Sequence, residues 1–476
     1  MIKIFLANLG FRRPMYPLAT PPMGLLFLAG YIRKYIPHAE IKIVNQRVEN
    51  YSIDDLVSLI YEFKPNILGL SALTIFAHLV NEVSTKVKGV LPDTWVVLGG
   101  PHASSVRSQA LVDIPSLDIV VPGEGEVSFK LIVEGYPKRD NLYDIPGIIW
   151  RDNSGGIVEN SGPLLVEEDL DKLPFPAYDL IDLRKYWKIQ SMAPVPLRRY
   201  ASIVSSRGCP YKCIWCHSVF GKKIRFCSPE RILDEMTYLH KNYGVDDFEF
   251  LDDNFNFNRI RVIKFAELIR NKGLKVKLAF PNAIRGDLAN EDEVEALYSA
   301  GTYMCSFALE TGSPRLQKFT CKNLDIPKFL KSIELMAKKG VYTNGFFMMG
   351  FPTETEEELR MTIETACNSM LHTASFFTVI PFPGTPLYEW LEKNRPEKLK
   401  ALSYMNADFA GAKINLTDLP DEVLFKYQRR AMLKFYLNPK RLLRLAKVYP
   451  HPFLLSLYFP IYIYRTTKGI FIKDSD

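Results

Sequence analysis

No cysteine lies close enough to Cys209, Cys213 and Cys216 to act as a fourth partner, and the chain has no second cysteine pair. Structural zinc usually takes four Cys or His ligands from two paired knuckles. His217 directly follows Cys216 and is badly placed to close a tetrahedron with it, so a zinc site is disfavoured. A disulfide framework is also disfavoured, because the cysteines number seven, an odd count. Uninterrupted apolar runs of membrane-spanning length, about 20 residues, are missing. The opening Met1-Ile-Lys-Ile-Phe-Leu-Ala-Asn8 reads as a strand without the charged start and cleavage site of a signal peptide. The net charge of +7 is modest and comes partly from the C-terminal region, so it does not call for a nucleic-acid partner.

What is present is concentrated in Arg207-Gly-Cys-Pro-Tyr-Lys-Cys-Ile-Trp-Cys-His217. Three thiolates on one short loop can hold three corners of a [4Fe–4S] cluster and leave one iron without a protein ligand. Full cysteine ligation would make an electron-transfer centre, whereas an open iron can bind a small molecule directly. The C-x3-C-x2-C spacing, with Trp215 before the last cysteine, resembles the signature of the radical S-adenosylmethionine superfamily. That resemblance implies that S-adenosylmethionine chelates the open iron and is cleaved there to a 5′-deoxyadenosyl radical. Such chemistry implies an oxygen-sensitive, cytoplasmic protein supplied by an external one-electron donor such as flavodoxin or ferredoxin. Cys227, Cys305, Cys321 and Cys367 stand singly and read as small hydrophobes.

A chain of 476 residues, 47% hydrophobic and 24% charged, is long enough for two or three domains with sizeable cores. Residues 1–140 alternate apolar strands (Ile2–Ala7, Glu40–Val44, Ile67–Ser71, Trp95–Leu98, Ile119–Val121) with helical segments (Met23–Tyr35, Ile53–Phe63, His78–Val90). This pattern predicts a Rossmann-like, flavodoxin-like parallel sheet, which binds ligands at the carboxyl ends of its strands. Small residues gather there: Ser71-Ala-Leu73, Gly99-Gly100-Pro-His102 and Gly123-Glu-Gly-Glu126. This order resembles cobalamin-binding domains, and Ser71, Leu73, Gly99 and Gly100 are the candidate contacts it implies. Pro21-Pro-Met-Gly-Leu-Leu-Phe-Leu-Ala29 resembles the opening helix of cobalamin-dependent radical S-adenosylmethionine enzymes. In Ala19-Thr-Pro-Pro-Met-Gly24 a proline stands where some cobalamin domains place a cobalt-ligating histidine, so a bound cobalamin would lack that ligand. The alternative is a Rossmann-like domain that binds nothing. His102 reads as a loop residue and His78 as a helix-surface residue.

Residues 141–198, with Asp169-Leu-Asp-Lys-Leu-Pro-Phe-Pro-Ala177, read as an extended interdomain linker. From 199 to 395 six strand–helix units follow, with strands at Tyr200–Ser205, Asp247–Leu251, Val276–Phe280, Met304–Leu309, Gly345–Met349 and Phe376–Ile380. They fit a partial (β/α)6, TIM-like barrel, the superfamily's usual core, with its active site at the carboxyl ends of the strands.

Asp252 and Asp253 close the second strand, where many members carry Gly-Gly-Glu. Two carboxylates suit a cofactor ammonium or a helix cap, and Asp252 is the first choice for the contact. Arg285 reads as a partner for the cofactor carboxylate or as a surface arginine. Glu310 ends an apolar strand, which is costly unless it is hydrogen-bonded, and ribose hydroxyls are the implied partner. Gly350 and Pro352 belong to a Gly-x-Pro-x-Glu turn that the resemblance places near the adenine, with Glu354 as a turn residue. Pro381-Phe-Pro-Gly384-Thr-Pro386 follows the sixth strand.

Residues 396–476 form a mainly helical, basic region containing Lys426, Arg429, Arg430, Lys434, Lys440, Arg441, Arg444 and Lys447, followed by the aromatic run Phe453–Tyr464. A membrane interface or lipid-like substrate entrance and a tail helix packed on the barrel are both compatible with it. Taken together, the residues and the resemblance imply an enzyme that uses a [4Fe–4S] cluster, S-adenosylmethionine and cobalamin. Its expected reaction is methylation of an unactivated carbon of a small molecule, with oxidative cyclisation or rearrangement as the alternative.

Overall fold

The structure is a computed structural model, which describes residues 1–12, 17–217, 219–400, 402, 404 and 414–455. The first unit contains β1 (Lys3–Leu9), β2 (Glu40–Asn45), β3 (Ile67–Ala72), β4 (Trp95–Gly99), β5 (Ile119–Val120), β6 (Ile149–Arg151) and β7 (Ile157–Glu159). Their order in the sheet is β2-β1-β3-β4-β5-β6-β7. The first five strands are parallel, in the expected flavodoxin-like order, whereas β6 and β7 join antiparallel. Helices Met23–Tyr35, Ile53–Phe63 and Ala77–Val90 lie between the strands. The second helix starts at a capping box, with Ser52 and Asp55 satisfying each other's backbone N–H groups.

The linker reading needs correction. Residues 149–159 form a hairpin that extends the first sheet. Leu170, Leu173, Ala177, Tyr178 and Leu183 are buried in one hydrophobic cluster shared with both units. Their apolar side chains carry the packing, although few of them repeat at helical or strand spacing. The connector also lies hard against the first helix: a Cβ at Gly30 would stand 2.6 Å from the Phe175 carbonyl oxygen.

The second unit contains β8 (Tyr200–Ile203), β9 (Ser206–Arg207), β10 (Arg225–Phe226), β11 (Asp247–Phe250), β12 (Lys277–Ile284), β13 (Thr302–Glu310), β14 (Tyr342–Met349) and β15 (Thr373–Thr378). Six of these form an open parallel sheet in the order β15-β14-β13-β12-β11-β8, the expected partial barrel. β9 and β10 form a separate two-stranded hairpin. Helix Pro229–Tyr243 begins as expected, with Ser228 accepting from Arg231 N and a proline in the first turn.

Helices Asp421–Tyr436 and Pro439–Val448 follow the barrel. The first packs on it through Leu424, Ala431 and Phe435, and the Tyr436 hydroxyl bonds Ala374 at both backbone groups. Arg441, read as part of the basic face, is buried and donates to the Cys367 and Leu371 carbonyls. Residues 456–464 of the aromatic run lie outside the described residues. Among the described residues no helix is long and apolar enough to cross a membrane.

Candidate active site between the two sheets

The carboxyl ends of both sheets open onto one cavity of about 1000 Å3, at the upper end of the range usual for small-molecule sites. Four groups of residues line it. Thr20–Leu25, Ser71, Leu73, Gly99, Gly100 and Gly123–Glu126 come from the first unit, and the cysteine loop forms a second wall. Asp253, Asn254, Asn282, Arg285, Glu310 and Lys322 bring polar groups, and Phe346, Met348, Phe377, Ile380 and Phe382 make an apolar end.

The cysteine loop, residues 208–224, springs from the β9–β10 hairpin. Gly208 needs its freedom there: its φ is +90°, and a Cβ would stand 2.3 Å from the Lys223 carbonyl oxygen. Backbone bonds fix the loop from Cys209 N to Gly221 O and from Ile214 N to Thr320 O. Cys209, Cys213 and Cys216 all line the cavity. Cys216 is exposed to the cavity, yet protein atoms crowd around its thiol. That burial, reinforced by Cys213, Asp253 and Cys209, pushes its thiol up to about 12. Burial also raises Cys213, against the pull of Lys322.

Among the described residues no three Cys, His, Asp or Glu groups converge as a single metal ion requires. A lone ion holds sulfur at about 2.3 Å, whereas a cluster takes each thiolate at a separate corner. Three separate thiols on one loop, with no fourth cysteine lining the cavity, fit the cluster and not the lone ion. Of the single cysteines, Cys227 and Cys305 are buried as expected, whereas Cys321 and Cys367 are only partly so.

Asp252 is placed away from the cavity: it is 2% exposed and does not line it. It accepts from Ser205 N and Oγ and from Ser206 Oγ, with Arg261 nearby as a countercharge. A strand-end carboxylate that closes its neighbours' hydrogen bonds looks the same in sequence as one that meets a ligand. Asp253 is the one that faces the cavity, and burial together with Asp252 pushes it up to about 6.

Arg285 is a cavity residue held in place, not a surface arginine. Its Nε lies 2.9 Å from Asp287 Oδ1, its guanidinium stacks 3.6 Å from the Tyr211 ring centroid, and it donates to the Lys322 carbonyl. Glu310 sits at a bulge with φ +69° and pairs with Lys322 at 3.2 Å. Trp215 packs on Phe351 with ring centroids 5.4 Å apart.

Gly350 and Pro352 lie outside the cavity lining, and the turn is closed by Glu354, which accepts from Gly350 N and Phe351 N. Burial pushes that carboxyl up to about 8. Gly384 presses on the first unit instead: a Cβ there would stand 2.6 Å from the Ser105 carbonyl oxygen.

Ser71, Leu73, Gly99 and Gly100 all line the cavity. Gly100, at φ +80°, lies so close to Ser71 that a Cβ there would stand 2.4 Å from Ser71 Oγ, so the pair makes a tight cradle with no room for a side chain at residue 100. His102 is corrected: it is buried in the short helix Gly100–Val106, where desolvation pushes it down to about 4. His217, on the cysteine loop, is the one histidine among the lining residues, with Nδ1 3.2 Å from Ser105 Oγ.

Sequence reasoning missed Lys322, Asn254, Asn282 and Tyr211. Lys322 gave no signal because it reaches the cavity on an irregular turn whose neighbours Cys321 and Asn323 have positive φ.

Residues 203–366 match the family model described as the radical SAM superfamily, and residues 16–133 match the B12 binding domain. An uncharacterized methyltransferase of Pyrococcus horikoshii is 32% identical over 426 residues, covering 89% of each chain. Cytidylyl-2-hydroxyethylphosphonate methyltransferase of Streptomyces wedmorensis is 28% identical over 421 residues, 78% of each chain. The fold is similar to that of the radical S-adenosylmethionine methyltransferase TsrM from Kitasatospora setae, solved with tryptophan substrate and a SAM analog bound. The TM-score is 0.68 at 18% identity, over 83% of this chain and 76% of that one.

Proposed function

Since the chain belongs to the cobalamin-dependent radical S-adenosylmethionine enzymes, we propose that it methylates an unactivated carbon of an apolar small molecule. The observation that carries this reading is the single cavity in which the three-cysteine loop and the Ser71–Gly100 cradle face each other. Three thiols without a fourth fit a site-differentiated cluster, and the tight Ser71–Gly100 cradle would let a bulky planar cofactor approach the backbone. When bound, these groups supply a hydrogen-abstracting radical and a transferable methyl group, which an sp3 C–H bond requires because it offers neither acidity nor a lone pair.

The chain's own residues divide the remaining work. Cys209, Cys213 and Cys216 would hold the cluster. Asp253 offers a carboxylate to an ammonium, and Arg285 and Lys322 offer cations to a carboxylate. Glu310, held by Lys322, is placed for hydroxyl groups. Phe346, Met348, Phe377, Ile380 and Phe382 carry no charge and would seat the apolar substrate away from water.

The proposal also includes a reducing cytoplasmic setting, an electron donor of the flavodoxin or ferredoxin kind, and peripheral membrane contact by the C-terminal helices. Helices Asp421–Tyr436 and Pro439–Val448 hold eight Lys and Arg, of which Arg441 is buried, against two acids, Asp421 and Glu422. Leu437 and Leu443 are exposed among them, a composition suited to an anionic interface.

The test is anaerobic reconstitution with cobalamin, S-adenosylmethionine and a cellular extract as substrate source. S-adenosylhomocysteine and 5′-deoxyadenosine appearing together, with both lost in the Cys216→Ala protein, support methylation. 5′-deoxyadenosine without S-adenosylhomocysteine supports cyclisation or rearrangement. Neither product from a fully loaded protein refutes the proposal.

A further inference from the structure

Arg207 and Arg225 are register partners across the β9–β10 hairpin, and that hairpin is the neck of the loop bearing the three cysteines. Both guanidiniums reach the same carboxylate in the other unit. Arg207 Nη1 donates to Glu124 Oε2 at 2.5 Å, and its Nη2 donates to Glu126 Oε1 at 2.7 Å. Arg225 pairs closely with Glu124 Oε1 and donates to the Glu167 carbonyl at 2.6 Å. None of the four side chains is more than 7% exposed. Arg207 also lies between an aromatic ring from each unit, 4.8 Å from the Phe27 centroid and 5.4 Å from that of Phe220.

Adhesion alone does not require this arrangement. Apolar side chains of similar volume often hold an interface as well as a buried ion pair does, because desolvating charges is costly. Forked arginine–carboxylate pairs do more than adhere, since they fix angle and separation together. Two arginines balance two glutamates, and three of the four residues also line the cavity. Glu124 and Glu126 belong to the Gly123–Glu126 loop just beyond β5, while Arg207 stands two residues before Cys209. The network therefore joins the wall that includes the glycine cradle to the base of the cysteine loop.

We infer that Glu124, Glu126, Arg207 and Arg225 form a positioning clamp that sets the separation between the cluster and cobalamin sites. This rests on the proposed function. Methyl transfer to a short-lived carbon radical tolerates little drift, since misplacement by about 1 Å can cost about a hundredfold in rate. The clamp would hold that separation at the neck of an otherwise irregular loop.

The test uses the holoenzyme, reconstituted without oxygen, with the cluster reduced and cobalamin in its paramagnetic Co(II) state. In the parent protein we expect the reduced cluster to speed relaxation of the cobalamin electron-spin signal. In Glu124→Gln we expect that enhancement to weaken and spread over a range of values while iron and cobalamin contents stay at parental levels. Should that variant fail to fold, Glu126→Gln and Arg207→Lys are read in the same way. The first leaves Glu124 bound to both arginines, and the second keeps the charge without the fork. Parental coupling in a fully loaded variant overturns the inference alone. A parent that binds no cobalamin overturns the functional proposal and the inference with it.

Discussion

Lys322 Nζ lies 3.2 Å from Glu310 Oε1 and 5.8 Å from the Trp215 ring centroid, so a cation and an anion sit together beside the cysteine loop. On the proposed function, a zwitterionic cofactor with a carboxylate, an ammonium and ribose hydroxyls would meet complementary groups there. Lys322→Met should keep its iron and bind S-adenosylmethionine about ten- to a hundredfold more weakly, the effect of losing a charged hydrogen bond of about 1.5–3 kcal/mol. Anaerobic titration, followed by the change in the reduced cluster's electron-spin spectrum, measures this. A parental curve would count against a ligand role for Lys322.

Asp252 and Asp253 adjoin in sequence but should fail differently. Asp252→Ala strips Ser205 and Ser206 of their buried acceptor and removes a negative charge near Arg261, a loss of about 1–3 kcal/mol. We expect a lower melting temperature and poor iron retention. Asp253→Asn should melt close to the parent and lose cofactor affinity instead. Because Asp253 titrates near 6, its carboxylate is charged above that pH and neutral below it. Binding of an ammonium-bearing ligand should therefore strengthen as pH rises through about 6, and the Asn variant should show no such rise. A parental pH profile in Asp253→Asn would sink this assignment.

Much of this was legible before the fold was known, for identifiable reasons. Met23–Tyr35 and Ile53–Phe63 have the bounds that their helical spacing predicts, because local pattern and tertiary packing agree. The cysteine loop was legible because metal ligation imposes a fixed spacing on thiols. Asp252 and Asp253 could not be told apart because strand position does not show whether a carboxylate faces a cavity or closes a neighbour's hydrogen bonds. Lys322 and the Glu124–Arg207 pair were missed because each depends on contacts 12 and 83 residues apart in sequence. The hairpin at 149–159 was hidden in a stretch rich in turn residues, where strands of three residues carry little pattern.

Gly100→Ala tests the cradle. The substitution puts a Cβ 2.4 Å from Ser71 Oγ at a φ of +80°, a conformation costing an L-residue about 1–2 kcal/mol. Cobalamin content after reconstitution should fall, while iron content stays with the cysteine loop on the far wall. Full cobalamin loading of Gly100→Ala would show that the cradle is not a binding surface.

Glu354 gives a stability prediction whose sign follows from its burial. Its carboxyl titrates at about 8 in the folded chain, against an ordinary value near 4.5. Between those values the unfolded chain releases a proton that the folded chain keeps, so this group lowers stability progressively as pH rises through the window. Glu354→Gln retains an oxygen to accept from Gly350 N and Phe351 N but cannot ionise. Its melting temperature relative to the parent should therefore climb between about pH 5 and pH 8. Thermal unfolding of the two proteins in parallel, without oxygen, measures the difference. Parallel profiles for parent and variant would mean that Glu354 is already ionised in the fold and that its turn is held some other way.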